Sequence, residues 1–197
     1  MVMALTSKLL APSHHDRLLK TRDVPDAVGV LSETEYAPYL GQFAGRSFEL
    51  PDLEKALFRS YIDTYEKVLR AATLKTARAI LECIYSRYEV ECLKSILSSA
   101  MAGAPAEQAM THIMPVGEYT YSYCSDLLAK KELRQIIDGI GDSAIRSLLH
   151  STLAECERSQ STLPAELAID RYLLESAWEL ANDAEFWDRR PLRELIG

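Results

Sequence analysis

The stretch between Leu50 and Gly103 constrains the fold more than any other, because it predicts two long amphipathic helices. The first begins at Leu50-Pro51, since proline lacks the N–H that a first helical turn leaves unbonded. The second follows a short break at Ala71–Thr73 and ends before Gly103 and Pro105. Their apolar positions, spaced by three and four, are Leu53, Leu57, Tyr61, Tyr65, Val68 and Leu69, then Ala77, Ile80, Leu81, Ile84, Tyr85, Tyr88, Leu93, Ile96, Leu97 and Met101. This period predicts an all-α fold.

The second of these helices carries a charged band formed by Arg87, Glu89 and Glu91. The rest of the helix is apolar over much of its circumference, so we expect it to lie centrally. One interpretation is that the band forms pairs within the helix, Arg87 with Glu91 and Glu91 with Lys94. The other is a partner-contact surface, where charged pairs fix register and partner choice. The sequence leaves both interpretations open.

Overall composition limits the classes of partner. The chain has 197 residues and a formal net charge of −7, which argues against a nucleic-acid partner because phosphate binding requires a basic face. Its longest stretch without a charged residue, Ser95–Ala106, is far shorter than the roughly 20 apolar residues that cross a bilayer. We also find no secretory signal pattern. These features predict a cytoplasmic helical protein.

Candidate chemical sites are few. The four cysteines, Cys83, Cys92, Cys124 and Cys156, lack zinc-finger spacing and are expected to be reduced and mostly buried. No phosphate-binding glycine loop or serine nucleophile elbow is present. His14-His15-Asp16 resembles part of a histidine-aspartate metal-dependent phosphohydrolase site, but no further histidine precedes it, so a solvated helix start is favoured. We therefore predict no catalytic residue, no cofactor and no metal.

The chain has two tryptophans, Trp178 and Trp187, which are expected to anchor the core, or alternatively an interface.

The region from Ala104 to Tyr123 is irregular, since it contains Pro105, Pro115 and Gly117. Its tyrosines alternate with other residues, but a lone strand has no partner here. We predict an extended linker.

An internal repeat is indicated by apolar positions in register. Six of them, Leu18, Leu19, Val24, Val28, Leu31 and Leu40, lie 109 positions before Leu127, Leu128, Leu133, Ile137, Ile140 and Leu149. The acids Asp23 and Glu33 precede Glu132 and Asp142 by the same distance, and Leu50-Pro51 recurs as Leu163-Pro164. Chance matching competes with this interpretation because identities are few. We predict pseudo-repeated helical modules, residues 1–115 and 116–197.

Two segments carry a family resemblance. Leu50–Arg59 (LPDLEKALFR) and Arg87–Leu97 (RYEVECLKSIL) resemble the C subunit of the archaeal and bacterial A/V-type ATP synthases, whose counterpart in vacuolar ATPases is the d subunit. The chain departs from the family pattern at three places. Cys92 stands where the family usually has asparagine, Glu89 where it has aspartate, and Ser98-Ser99 where it tends to have basic residues. The helical framework is unaffected by these changes.

The resemblance implies a fold and a role. It implies a funnel-like helical fold and a non-catalytic central-stalk subunit that transmits torque between the membrane rotor ring and the stalk. The implied partners are rotor-ring proteolipid subunits and central-stalk subunits, with membrane association only through the complex. A helical scaffold or adaptor of unrelated ancestry is the alternative.

The family has three modules, so we expect this chain to be a fragment or a natural short form with an incomplete second module. In that case apolar surface on Leu167, Leu173, Leu174 and Trp178 lacks its partner helix.

Overall fold

The computed structural model describes residues 9–130 and 132–183, and these residues form helices joined by turns. The elements are α1 (Pro12–Leu18), α2 (Val24–Leu31), α3 (Ala37–Leu40), α4 (Leu50–Ala71), α5 (Lys75–Met101), α6 (Ala106–His112), α7 (Tyr121–Leu128), α8 (Leu133–Asp138), α9 (Ser143–Ser159) and α10 (Leu163–Asp183). The only strand-like pairing in these residues is one isolated bridge, between Val116 and Tyr119. The predicted all-α class is confirmed.

The chain divides into two compact units, Met1–Ala72 and Thr73–Gly197. These units are defined by contacts in space, whereas the predicted modules 1–115 and 116–197 are defined by sequence repetition. Because units defined by contacts do not test sequence repetition, the modules stay a prediction. The apolar spacing of Val2–Leu10 predicts a further short helix, most of which lies outside the described residues.

The first unit holds α1 to α4 around a small apolar core. Proline occupies one of the first two positions of every one of these helices, where its missing N–H costs nothing. The Asp23 side chain caps α2 by accepting a hydrogen bond from the Asp26 N–H at 2.9 Å. Val28, Leu40, Phe43 and Leu53 form the buried cluster. Proline placement and one cap thus set where these short helices begin.

Helix α4 begins at Leu50 as predicted, but its buried face differs from the predicted stripe. Leu53 is buried, whereas Tyr61 is 45% exposed and the adjacent Ile62 is only 1% exposed. The Tyr61 ring instead lies 6.1 Å from that of Tyr65 along the helix. Tyrosine tolerates this position because its ring is apolar and its hydroxyl prefers water. On the polar face, Asp63 pairs with Arg59, whose Nε lies 2.8 Å away.

The second unit is organised around α5, which packs against α6, α7, α8 and α10. Its buried residues, Val90, Cys92, Leu93, Ile96 and Leu97, all lie in its second half. Gly103 follows the helix with a φ of +64°, a left-handed conformation that suits glycine at a helix end. The expectation of a central helix is therefore confirmed within this unit.

The predicted extended linker at 104–123 is wrong over much of its length. Helix α6 occupies Ala106–His112 and buries Ala109 and Met110. Alanine, glutamate, glutamine and methionine favour helix strongly enough to form two turns between the breaking residues. A tight turn then pairs the backbones of Val116 and Tyr119, and the last of the alternating tyrosines, Tyr123, belongs to α7.

Helix α10 presents several apolar residues to solvent. Leu167, Leu174 and Trp178 are 59%, 57% and 46% exposed, while Leu173 is partly buried. This agrees with the exposed apolar surface expected for three of these four residues, whereas the expectation that Trp178 anchors the core is wrong. Trp187 lies outside the described residues. In the part of the chain that the structure describes, no helix combines the length and the apolar character that spanning a membrane requires.

Candidate partner-binding cleft

A cleft of about 850 Å³ opens on the surface of the second unit. Its walls are residues 79–90 of α5, the turn at 116–119, Tyr123 of α7, the loop at 139–142 with Ile145 of α9, and residues 172–180 of α10. Three tyrosines, Tyr119, Tyr123 and Tyr172, contribute aromatic surface, and Val90, Ile145 and Leu180 contribute aliphatic surface. Aromatic surface with a polar tip is typical of protein-binding sites.

The charged lining of this cleft is acidic. Glu82, Glu89, Glu118 and Asp142 line it, and none of its lining residues in the described chain is lysine, arginine or histidine. Like charges within one concave surface repel each other and focus a negative potential there. Glu82 is paired with Arg78, whose Nε lies 2.8 Å from its Oε1, so the side of the cleft formed by Glu89, Glu118 and Asp142 is the one that is electrostatically complementary to a basic group.

Glu89 is fixed in place by the turn opposite α5. The Glu118 N–H donates to Glu89 Oε1 at 2.9 Å. Gly117 adopts a φ of +57°, and a Cβ atom there would lie only 1.9 Å from Glu89 Oε1. Glycine is thus required for two reasons, the backbone conformation and the close approach of the carboxylate. The turn presents Glu89 in one position.

Burial raises the pKa of the Glu89 carboxyl, and the neighbouring Glu118 and Asp142 carboxylates raise it further, against the opposing effect of the Glu118 N–H. Burial and like charge both disfavour the negative form of the group. A cation placed beside Glu89 would instead stabilise the negative form of its carboxyl group. A basic group at this position would therefore gain electrostatic stabilisation.

The floor of the cleft is held by the hydroxyl of Tyr123. This hydroxyl donates to the Gly139 carbonyl oxygen at 2.8 Å and accepts from the Gly141 N–H at 2.9 Å. Next along the chain, Asp142 Oδ1 accepts from the Ala144 and Ile145 N–H groups and caps α9. The loop between α8 and α9 is thereby tied on both sides, which gives the cleft a fixed shape.

The structure separates the predicted band of Arg87, Glu89 and Glu91. Successive helical residues are turned by about 100°, so Arg87 and Glu91 share one face while Glu89 points into the cleft on another. The expected Glu91–Lys94 pair is present at 3.0 Å, and Lys94 also pairs with Asp170 of α10. The expected Arg87–Glu91 pair is not formed, and Arg87 is exposed. Sequence reasoning identified Glu89 but not its neighbours Glu118 and Asp142, which come from distant segments.

The histidine-aspartate segment forms the start of α1. His14 Nδ1 accepts from the Ala11 N–H at 3.2 Å. Within residues 9–130 and 132–183, no group of three or more histidine, cysteine, aspartate or glutamate side chains is arranged to hold a metal ion. The local contact is that of a helix start, in line with the favoured interpretation of this segment.

The described residues form an all-helical fold with an acidic and partly aromatic cleft. Comparison with known proteins gives the particular family. The profile described as "ATP synthase (C/AC39) subunit" matches residues 1–197. The chain belongs to this family, which confirms the identity predicted from the two sequence segments and places it among accessory subunits of rotary ATPases rather than among enzymes.

Individual relatives agree with this assignment. The chain is 22% identical to the C subunit of the A-type ATP synthase of Methanocaldococcus jannaschii over 86% of its own length and 42% of the relative's. It is 23% identical to the C subunit of the V-type ATP synthase of Deinococcus radiodurans, over 99% and 55% of the two chains. It is 25% identical to the C subunit of the A-type ATP synthase of Methanobrevibacter smithii, over 98% of its own length and 50% of the relative's. The chain thus spans about half the length of these relatives. No solved structure gives a significant match.

Proposed function

We propose that this chain acts as a central-stalk subunit of a rotary A/V-type ATPase, linking the membrane rotor ring to the central stalk and transmitting torque between them. The observation that supports the proposal is the match of the family profile along residues 1–197. The partners are the rotor-ring proteolipids and the central-stalk subunits. The chain lies on the cytoplasmic side and meets the membrane only through the complex.

Torque transmission requires a stiff body, and the packing of the second unit supports that requirement. Helix α5 has 27 residues, a length of about 40 Å at 1.5 Å per residue. Polar contacts tie it to α10: Lys94 pairs with Asp170, and the Ser98 hydroxyl donates to Glu166 Oε1 at 3.2 Å. Densely packed helices with such ties move as one body instead of deforming.

The acidic cleft supplies a contact surface for one of these partners. Glu89 receives a basic side chain from the partner, and the tyrosines pack on its apolar flanks. Arg87 and Glu91, on the other face of α5, form a second contact with the complex. Charges in such places choose the partner and fix its register, which is what a coupling protein requires.

Reconstitution tests the proposal. The tagged chain is produced together with the rotor-ring and central-stalk subunits of the same organism, and both sets of partners are expected to copurify with it. Glu89→Lys reverses the charge in the cleft and is expected to lower partner recovery by about tenfold, since a buried like-charge contact costs at least about 1.4 kcal/mol. Arg87→Glu tests the second contact separately.

The matched control is Glu157→Lys, because Glu157 is an exposed acid of α9 and does not line the cleft. Its recovery is expected to equal that of the unchanged chain. Copurification of neither the ring nor the stalk subunits would reject the central-stalk role and favour the scaffold alternative. Equal recovery with Glu89→Lys would reject the cleft as the contact while leaving the role intact.

A further inference from the structure

Two cysteines that are distant in sequence meet inside the second unit. The Sγ atoms of Cys92, in α5, and Cys124, in α7, lie 3.7 Å apart. Their residues are 4% and 0% exposed, and both thiols are free. The other two cysteines differ: Cys83 is partly buried on the cleft wall, and Cys156 is buried in α9.

The two thiols are already in contact. Their helices, α5 and α7, pack against each other, and the sulfur atoms are 3.7 Å apart. A disulfide has an S–S distance of about 2 Å, so the two sulfur atoms must approach each other further to form the bond.

One member of the pair is the better nucleophile. The hydrogen bond from Cys92 lowers the pKa of the Cys124 thiol, whereas burial raises the pKa of the Cys83 thiol. Because the thiolate is the reactive form, this difference favours Cys124 over Cys92 as the first group to react once a peroxide reaches the buried pair. Cys124 also lies next to the cleft: its Sγ is 3.5 Å from the carbonyl oxygen of Tyr119, whose residue lines the cleft wall.

We propose that Cys92 and Cys124 form a reversible intramolecular disulfide when the protein meets a peroxide, a redox modification site that ties α5 to α7. The Cys124 thiolate attacks a peroxide oxygen, the O–O bond breaks, and a sulfenic acid forms with release of water. The Cys92 thiol then attacks that sulfur, the S–S bond forms, the S–O bond breaks and a second water leaves. The two thiols together lose two electrons and two protons, and hydrogen peroxide gains them.

The disulfide would constrain the part of the unit that shapes the cleft. It closes a loop that contains α6 and the Val116–Tyr119 turn, including Gly117 and Glu118, which position Glu89. Closing a loop of this length restricts the unfolded chain and thereby stabilises the folded one. The proposal stands on the sulfur geometry alone and does not depend on the proposed function.

The test uses the full chain carrying Cys83→Ser and Cys156→Ala, so that only the pair remains. Hydrogen peroxide is added at low millimolar concentration, and intact mass is measured before and after treatment with dithiothreitol. The expected result is loss of two hydrogen atoms from a monomer, restored by the reductant, with a melting temperature several degrees higher in the oxidised form.

The control adds Cys92→Ala to the same background, which leaves Cys124 without its partner and should abolish the monomeric disulfide. If the double variant does not fold, peptide mapping of the oxidised unchanged chain gives the same answer through the Cys92–Cys124 cross-linked peptide. Oxygen addition to single cysteines, disulfides between chains, or unmodified thiols after treatment would each overturn the proposal.

Discussion

Two series of four helices, one before and one after α5, begin alike and are buried differently. The first series is α1 to α4 and the second is α7 to α10. Helices α1 and α7 begin at Pro12 and Tyr121, and α2 and α8 begin at Val24 and Leu133, in both cases 109 residues apart. These starts support the predicted duplication, which stays a prediction until the two series are shown to superpose.

Equivalent apolar positions reach different depths in the two series. Leu40 and Leu149 are both fully buried. By contrast, Leu31 is only partly buried while its counterpart Ile140 is 1% exposed. The second series packs against α5 within its own unit, which covers α7, α8 and α10. Equivalent spacing therefore does not fix burial, because the neighbouring elements determine how completely each apolar side chain is covered.

The third helices differ most in length. Helix α3 has four residues and α9 has 17. Pro38, Gly41 and Gly45 interrupt the first series, and Gly45 has a φ of +68°. The second series has no proline or glycine between Asp142 and Gln160, and α9 ends only where Gln160 turns to a left-handed φ of +53°. A few helix-breaking residues are enough to change a long helix into a short one.

The largest effect on stability is expected when the side chains at one pair of equivalent positions, Leu31 and Ile140, are each truncated to alanine. Ile140→Ala is expected to lower the free energy of unfolding by about 2–4 kcal/mol, because it leaves a cavity in a covered core. Leu31→Ala should cost about half as much, since its side chain is only partly buried. Urea denaturation followed by circular dichroism measures both, and equal losses would contradict the difference in coverage.

A smaller effect is expected at two glycines with left-handed backbones. Gly117→Ala should cost about 1–3 kcal/mol, because it adds the strain of a positive φ to displacement of the Glu89 carboxylate. At Gly45 the position of a Cβ is unobstructed, so Gly45→Ala carries only the backbone strain of about 1–2 kcal/mol.

Hydrogen exchange at the Glu118 amide separates the two causes. The exchange should accelerate in Gly117→Ala, where the bond to Glu89 is disturbed, and stay unchanged in Gly45→Ala. An unchanged Glu118 rate in both variants would show that Glu89 is not held by this turn.

The smallest effect concerns two acids at equivalent positions with different roles. Asp142 caps α9 through two backbone N–H groups, so Asp142→Ala should cost about 1 kcal/mol. Glu33 instead forms a solvent-exposed ion pair with Arg17 at 2.6 Å, and such pairs contribute little to stability. Thermal denaturation of Glu33→Ala should therefore show no measurable change, and a shift equal to that of Asp142→Ala would refute the distinction.

Local signals in the sequence determined where α4 and α10 begin and where α5 ends. Pro51 and Pro164 mark the starts of α4 and α10, and Gly103 marks the end of α5. These features act through neighbouring backbone groups, so they are readable from a short window of sequence. The helical class and the family resemblance rest on the same kind of local pattern.

Only the tertiary structure decided which residues from distant segments come into contact. Glu89 faces Gly117 and Glu118 from another segment, and Cys92 contacts Cys124 from α7. The outward turn of Tyr61 also depended on packing that no local window reports. The physical reason is that helix formation is governed by residues within about four positions of each other, whereas burial and side-chain contact are governed by which distant surfaces exclude water together.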